Sequence, residues 1–224
     1  MKTYTSFNPW FLIPFLLWMI GGAWLLAEYS QWQLFGFANS HHNKFLDGLM
    51  YGLTITGEGS SVAVFLLLLL IVPGLRNWWY VLTAAICCGL SAIAVQILKK
   101  LFSVNRPYSY LTEQPWIRLK ENWPELFHYS FPSGHSAAAF SVFCLFSFML
   151  PRRFRPFGIL LFLLALAIAY SRMYVAAHFF LDIYIGSIIG VLFCTFFFFI
   201  MHRLEPRAFR EPWERHKARI TRKP

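Results

Sequence analysis

Three short stretches of this chain hold residue types that act on oxyanions: Lys99 with Arg106, the run Pro-Ser-Gly-His at 132–135, and Ser171, Arg172, His178 and Asp182. Lys99 and Arg106 stand seven positions apart, about two helical turns, so a continuing helix places both cations on one face. Pro107 pushes Arg106 out of the helical region and marks a helix end. Alone, this pair also suits cations snorkelling at a membrane edge. Ser133 is a good N-cap, Gly134 lets a ligand approach the backbone, and the amides of a first helical turn attract anions. His135 follows directly, although an ordinary helix cap accounts for the same letters. His178 and Asp182 are at i and i+4, which meet on one face once a helix has begun. An aspartate that accepts the Nδ1 proton leaves Nε2 as a free lone pair, the base-and-orienter half of a nucleophilic site. A neutralised buried pair is the plainer reading. Together, three cations, two histidines, one carboxylate and a helix start fit phosphate or a related oxyanion best.

The elements that must position these residues are apolar helices. Hydrophobic residues make up 58% of the 224 and charged residues 13%, with 25 Phe and 9 Trp. A soluble domain carries roughly 25% charged residues, so the excess apolar surface faces a bilayer. Six spans can be drawn, near 10–27, 49–72, 78–102, 133–150, 157–170 and 179–201. They predict an all-α, polytopic membrane protein with six transmembrane helices in a bundle, forming one domain over 1–224. The first span lacks a small-x-small cleavage pattern and is expected to be retained.

Lysine and arginine set the orientation. With the N-terminus inside, the cytoplasm receives Lys2, Arg76, Arg152, Arg153, Arg155 and the eight basic residues of the tail at 202–224, thirteen of the 20. The outer side then holds all three oxyanion groups. Sixteen steps from His135 to Pro151 cover roughly 24 Å against about 30 Å of hydrocarbon, which puts the site at the outer headgroup level. The basic tail suits contact with anionic lipid, and the aromatics near it form no stacking pattern for nucleic acid. Trp10, Trp78, Trp79, Trp116 and Trp123 sit at or near span ends, as interfacial anchors would. Cys87, Cys88, Cys144 and Cys194 lie in apolar runs and read as small hydrophobes. His41, His42, His128, His202 and His216 receive no role.

Lys-x6-Arg-Pro, Pro-Ser-Gly-His and Ser-Arg-x5-His-x3-Asp resemble the three-part signature of the type 2 phosphatidic acid phosphatase superfamily. That group includes lipid phosphate phosphatases, bacterial undecaprenyl-diphosphate phosphatases, glucose-6-phosphatase and the vanadium haloperoxidases. Every signature position is filled, in blocks at 99–107, 132–135 and 171–182. The resemblance implies that Lys99, Arg106 and Arg172, with the Ser133 hydroxyl and the Gly134 amide, hold the phosphoryl oxygens. It makes His178 the nucleophile, Asp182 its partner and His135 the acid that protonates the leaving oxygen. A phosphohistidine intermediate, no metal and no cofactor are implied.

Glu58, in the second span, is a further candidate for pairing with a motif cation or touching a headgroup; a carboxylic acid near a helix break is as good a reading. Undecaprenyl diphosphate is the first-choice substrate, with phosphatidylglycerophosphate, phosphatidate and lipid A phosphates open. Transfer of the phosphoryl group to another lipid uses the same residues. Six spans weigh against a soluble haloperoxidase, and a transporter or scaffold leaves the full residue set without a use. The expected setting is a bacterial inner membrane, with the site facing the periplasm.

Overall fold

The computed structural model of the chain describes residues 7–57, 62–64, 67, 78–119 and 126–205. All regular structure among them is helical: α1 Pro9–Glu28, α2 Gln31–Asn39, α3 Lys44–Thr56, α4 Trp78–Phe102, α5 Gly134–Met149, α6 Gly158–Tyr174 and α7 Phe180–Leu204, with short 3-10 turns at Pro107–Tyr110 and Arg152–Phe157. Asn8, Ser30, Asn43 and Ser133 each accept a backbone N–H of the helix they open, so four helix starts are fixed by side chains that compete well for those amides.

Four of the helical stretches are long and apolar enough to cross a membrane: Pro9–Glu28, Trp78–Tyr110, Arg152–Tyr174 and Phe180–Leu204. Among the described residues, four of the six spans drawn from sequence are therefore matched by such helices. The expected fourth span is α5, an apolar helix of only 16 residues, and much of the expected second span lies outside the described residues. α5 packs against α4, α6 and α7 and buries Phe140, Leu145 and Phe148 completely, so its neighbours carry the outward apolar surface. The long helices keep apolar stripes outward: Leu16, Ile20 and Trp24 on α1, Ile93, Ile97 and Leu101 on α4, Leu192 and Phe196 on α7. Surface of that kind on every long helix is suited to lipid rather than water. All four cysteines are buried thiols.

The bundle has two unlike ends. At one, buried Asn8 donates to the Ser147 and Arg155 carbonyls at 3.2 and 3.0 Å, and Trp79 Nε1 donates to the Met201 carbonyl at 3.2 Å. The opposite end gathers the C-termini of α3, α4 and α6 with the N-termini of α5 and α7. Every residue of the three sequence blocks belongs to that end. α2, which the span reading left inside an outer loop, also lies there. Its last residue, Asn39, is buried and bonds both the Arg118 and Tyr174 carbonyls.

Candidate active site

Lys99 lies in the last turn of α4, which stops at Phe102. Ser103 then takes a left-handed φ of 45° and Arg106 is extended, held open by Pro107. The two cations therefore do not share a helix face, as their spacing suggested. They converge through the backbone instead. Arg106 N donates to the Phe127 carbonyl at 2.8 Å and Ser130 N to the Val104 carbonyl at 2.9 Å, which lays 104–106 alongside 127–130. Lys99 Nζ then donates to the Tyr129 carbonyl. Arg106 reaches three carbonyls: His128 at 2.8 Å, Tyr129 at 3.4 Å and Ala177 at 3.2 Å.

Ser133 caps α5, its Oγ accepting from Ser136 N at 3.3 Å and from Ser136 Oγ at 3.0 Å. Two acceptor positions are thus used, and its own O–H is left to donate. The Ser133 amide is committed to the Asp182 carbonyl at 2.9 Å, whereas the Gly134 amide, in the first turn of α5, has no acceptor within its helix. A β-carbon on Gly134 would stand 4.0 Å from Lys99 Cε, so the end of α4 rests against the start of α5. His135 comes next on α5. Gly57, the C-cap of α3, lies against it: a β-carbon there would meet the His135 ring at 3.2 Å.

Arg172 is in the last turn of α6, 4% exposed, and its Nη1 donates to the buried Thr54 hydroxyl of α3. Its carbonyl accepts from the Ala177 and His178 amides at 2.9 and 3.2 Å. This closes a tight turn in which Ala176 takes a φ of 56°. His178 leaves that turn before α7 begins at Phe180, so His178 and Asp182 are not on one helix, as the i, i+4 reading had it. They meet because Asp182 turns back over the start of its helix. Its Oδ2 accepts the Phe179 amide at 2.9 Å, a favoured place for a carboxylate at a helix N-terminus, and lies 3.4 Å from His178 Nδ1. Ser130 fills the space beside them, its Oγ donating to Asp182 Oδ2 and lying 3.3 Å from His178 Nδ1.

Burial, joined by the charges of Arg106, Arg172 and Lys99, pushes the proton affinity of His178 well below that of an ordinary imidazole. That favours the neutral ring, with Nδ1 facing the Ser130–Asp182 pair. The structure brings Lys99, Arg106, Ser133, Gly134, His135, Arg172, His178 and Asp182 to one end of the bundle. Glu58 lies outside the described residues. Sequence reasoning missed Ser130 and Thr54, and it missed the Tyr129 and Ala177 carbonyls that aim the cations. A serine three residues before Ser133, in a run leading into Pro-Ser-Gly-His, was the one available signal.

A buried imidazole backed by a carboxylate, at one end of an apolar bundle and ringed by three cations, defines a class: helical enzymes that work on phosphoryl groups at a membrane. The chain belongs to the PAP2 superfamily, whose family model matches residues 76–206 and so takes in all three blocks. It is a phosphatase of lipid phosphate esters. The crystal structure of Aquifex aeolicus LpxE is similar to it at a TM-score of 0.64 and 27% identity, over 76% of this chain and 96% of that one. No curated protein matches the chain.

Proposed function

We propose that the chain removes phosphate from a membrane lipid through a phosphohistidine at His178, without a metal ion. The observation that carries this reading is the buried His178–Asp182 pair lying one residue from the carbonyl that holds Arg106. His178 Nε2 attacks phosphorus in line, the N–P bond forms, and the P–O bond to the lipid breaks. His135 gives its proton to the departing oxygen, then takes one from the water that cleaves the N–P bond. Asp182 keeps the proton on Nδ1 and steadies the ring as it becomes cationic. Lys99, Arg106 and Arg172, with the Ser133 hydroxyl and the Gly134 amide, hold the three phosphoryl oxygens. Fixed cations at the rim of a low-dielectric slab stabilise developing charge better than the same groups in water, and they supply what metal ions supply in other phosphatases.

Six crossings with both termini in the cytoplasm remain the layout we favour. Thr54 is at the site end and Trp79 at the opposite end. The exposed Arg152 and Arg153 lie at the end opposite the site, which supports an outward-facing site. Undecaprenyl diphosphate is the first substrate to test, with phosphatidylglycerophosphate, phosphatidate and lipid A beside it.

The test is phosphate release in detergent across those four lipids, with and without chelator. Wild-type protein is expected to release phosphate equally in both conditions. His178→Ala is expected to lose at least about a thousandfold, the scale on which removing a nucleophile acts. Activity that survives in His178→Ala, or that depends on added magnesium, overturns the mechanism. A phosphorylated second lipid in place of free phosphate would identify a transferase.

A further inference from the structure

We infer that Ser130 is a positioning residue for the nucleophile, the middle member of a His178–Ser130–Asp182 relay. This rests on the reading of His178 as the group that attacks phosphorus. Ser130 is wholly buried, as are His178 at 1% and Asp182 at 3% exposure. The direct His178 Nδ1 to Asp182 Oδ2 separation is 3.4 Å; it and the Ser130 contact both lie just beyond the 2.7–3.2 Å in which N–H···O bonds are strongest, so neither alone holds the ring. Ser130 Oγ is 3.3 Å from Nδ1 and close to Oδ2, to which it donates. One hydroxyl both accepts and donates. Nδ1–H can therefore lean on Oγ while Oγ–H commits to the carboxylate, with every proton staying where it began.

The backbone fixes this hydroxyl independently of the dyad. Ser130 N donates to the Val104 carbonyl at 2.9 Å, on the segment that leads from Lys99 to Arg106. Tyr129, just before it, has a left-handed φ of 59° and gives its carbonyl to both Lys99 and Arg106. The same two residues thus aim the phosphate-binding cations through a carbonyl and the nucleophile through a hydroxyl. Asp182 Oδ2 also accepts the Phe179 amide. Removing Ser130 leaves that oxygen without one of its donors and leaves the Nδ1 proton one long contact in place of two.

The consequence falls on the chemical step. Without the hydroxyl, the ring samples the tautomer that carries its proton on Nε2, where it cannot attack. Ser130→Ala is expected to lower kcat by about ten- to a hundredfold, at or below the lower end of what direct proton-handling groups contribute, and to leave KM within about twofold. Ser130→Thr, which keeps the hydroxyl, is expected to recover part of that loss. In an Asp182→Ala background, Ser130→Ala is expected to cost less than about twofold, because the partner it acts through is gone.

The experiment measures turnover of short-chain phosphatidate in detergent for wild type and the four variants. It also measures label left on His178 after an alkaline quench with the radiolabelled lipid, since phosphoramidates survive alkali. Melting temperatures show whether each variant is folded. Slower labelling in folded Ser130→Ala, with non-additivity against Asp182→Ala, supports the relay. Unchanged kcat in Ser130→Ala, a raised KM with unchanged kcat, or additive losses in the double variant overturn it. Wild-type protein that turns over lipid without ever labelling His178 instead removes the reading of the nucleophile beneath it.

Discussion

At the scale of single residues, the site is shaped as much by backbone as by side chains. Ser103, Tyr129 and Ala176 are the non-glycine residues with positive φ among those described, at 45°, 59° and 56°, and each stands three or fewer positions from a site residue. Conformations of this kind cost roughly 1–2 kcal/mol, and they persist where surrounding structure over-determines them. Ala176 carries the clearest consequence. The two amides after it bond the Arg172 carbonyl and the Ala177 carbonyl holds Arg106, so its turn sets the distance between two cations and His178. Ala176→Gly is expected to melt no lower than wild type and to keep its kcat. Ala176→Val, with a branched side chain at the same φ, is expected to melt several degrees lower and to lose more than about tenfold in kcat. Equal activity in the two variants would show that the turn does not aim the site.

The helices and loops that hold those residues form a second layer, tied by one latch of polar side chains. Arg118 grips Asp47 of α3 with both nitrogens, at 3.3 and 2.9 Å, and the Tyr174 hydroxyl at the end of α6 donates to the same carboxylate at 2.6 Å. Asn39 of α2 adds bonds to the carbonyls of Arg118 and Tyr174 and accepts the Arg118 amide. Three helices and the segment around Arg118 are therefore fastened two residues from Arg172. The Tyr174 hydroxyl, and then Arg118, holds the Asp47 carboxyl below the usual carboxylate range, outweighing the opposing pull of burial. A lowered folded pKa means the stabilisation is fully present above the unfolded value near 3.8 and fades as pH falls through the folded value. Asp47→Asn is accordingly expected to melt a few degrees below wild type at pH 7, with the gap closing as pH drops below about 4. A gap that stays constant across that range would mean the charge contributes nothing. This layer was not legible in the sequence. Asp47 and Arg118 are 71 positions apart, and nothing in either segment names the other. Ser130 was hidden for a related reason, because a serine in a loop is ordinary until the carboxylate beside it is seen. The residues we propose for holding the oxyanion could be picked out in the sequence because phosphoryl chemistry demands particular side chains, whereas their supports need only a hydroxyl, an amide or a carbonyl in the right place.

Across the whole molecule, the site depends on how closely α5 and α7 approach, and two glycines set that distance. Gly186 and Gly190 are one turn apart on α7, a small-residue spacing that lets membrane helices come near each other. A β-carbon on Gly186 would stand 2.5 Å from the Ser133 carbonyl and 3.2 Å from Ser136 Cβ; one on Gly190 would collide with the Ala137 carbonyl. Backbone oxygens cannot swing aside as a flexible side chain does, so either methyl group must push the helices apart, at about 1–3 kcal/mol. The two displacements differ in what they carry. At Gly186 the shift falls on Ser133, whose amide bonds the Asp182 carbonyl and whose helix start presents His135. At Gly190 it falls a turn deeper, where only packing is at stake. Gly186→Ala and Gly190→Ala are therefore expected to lower the melting temperature by similar amounts, with Gly186→Ala alone losing more than about tenfold in kcat. Gly89→Ala, where a β-carbon meets nothing within 4 Å, is expected to keep its kcat and to melt no lower than wild type. Full turnover in a folded Gly186→Ala protein would show that the α5–α7 contact sets stability without setting the geometry between the helix start of α5 and the carboxylate of α7.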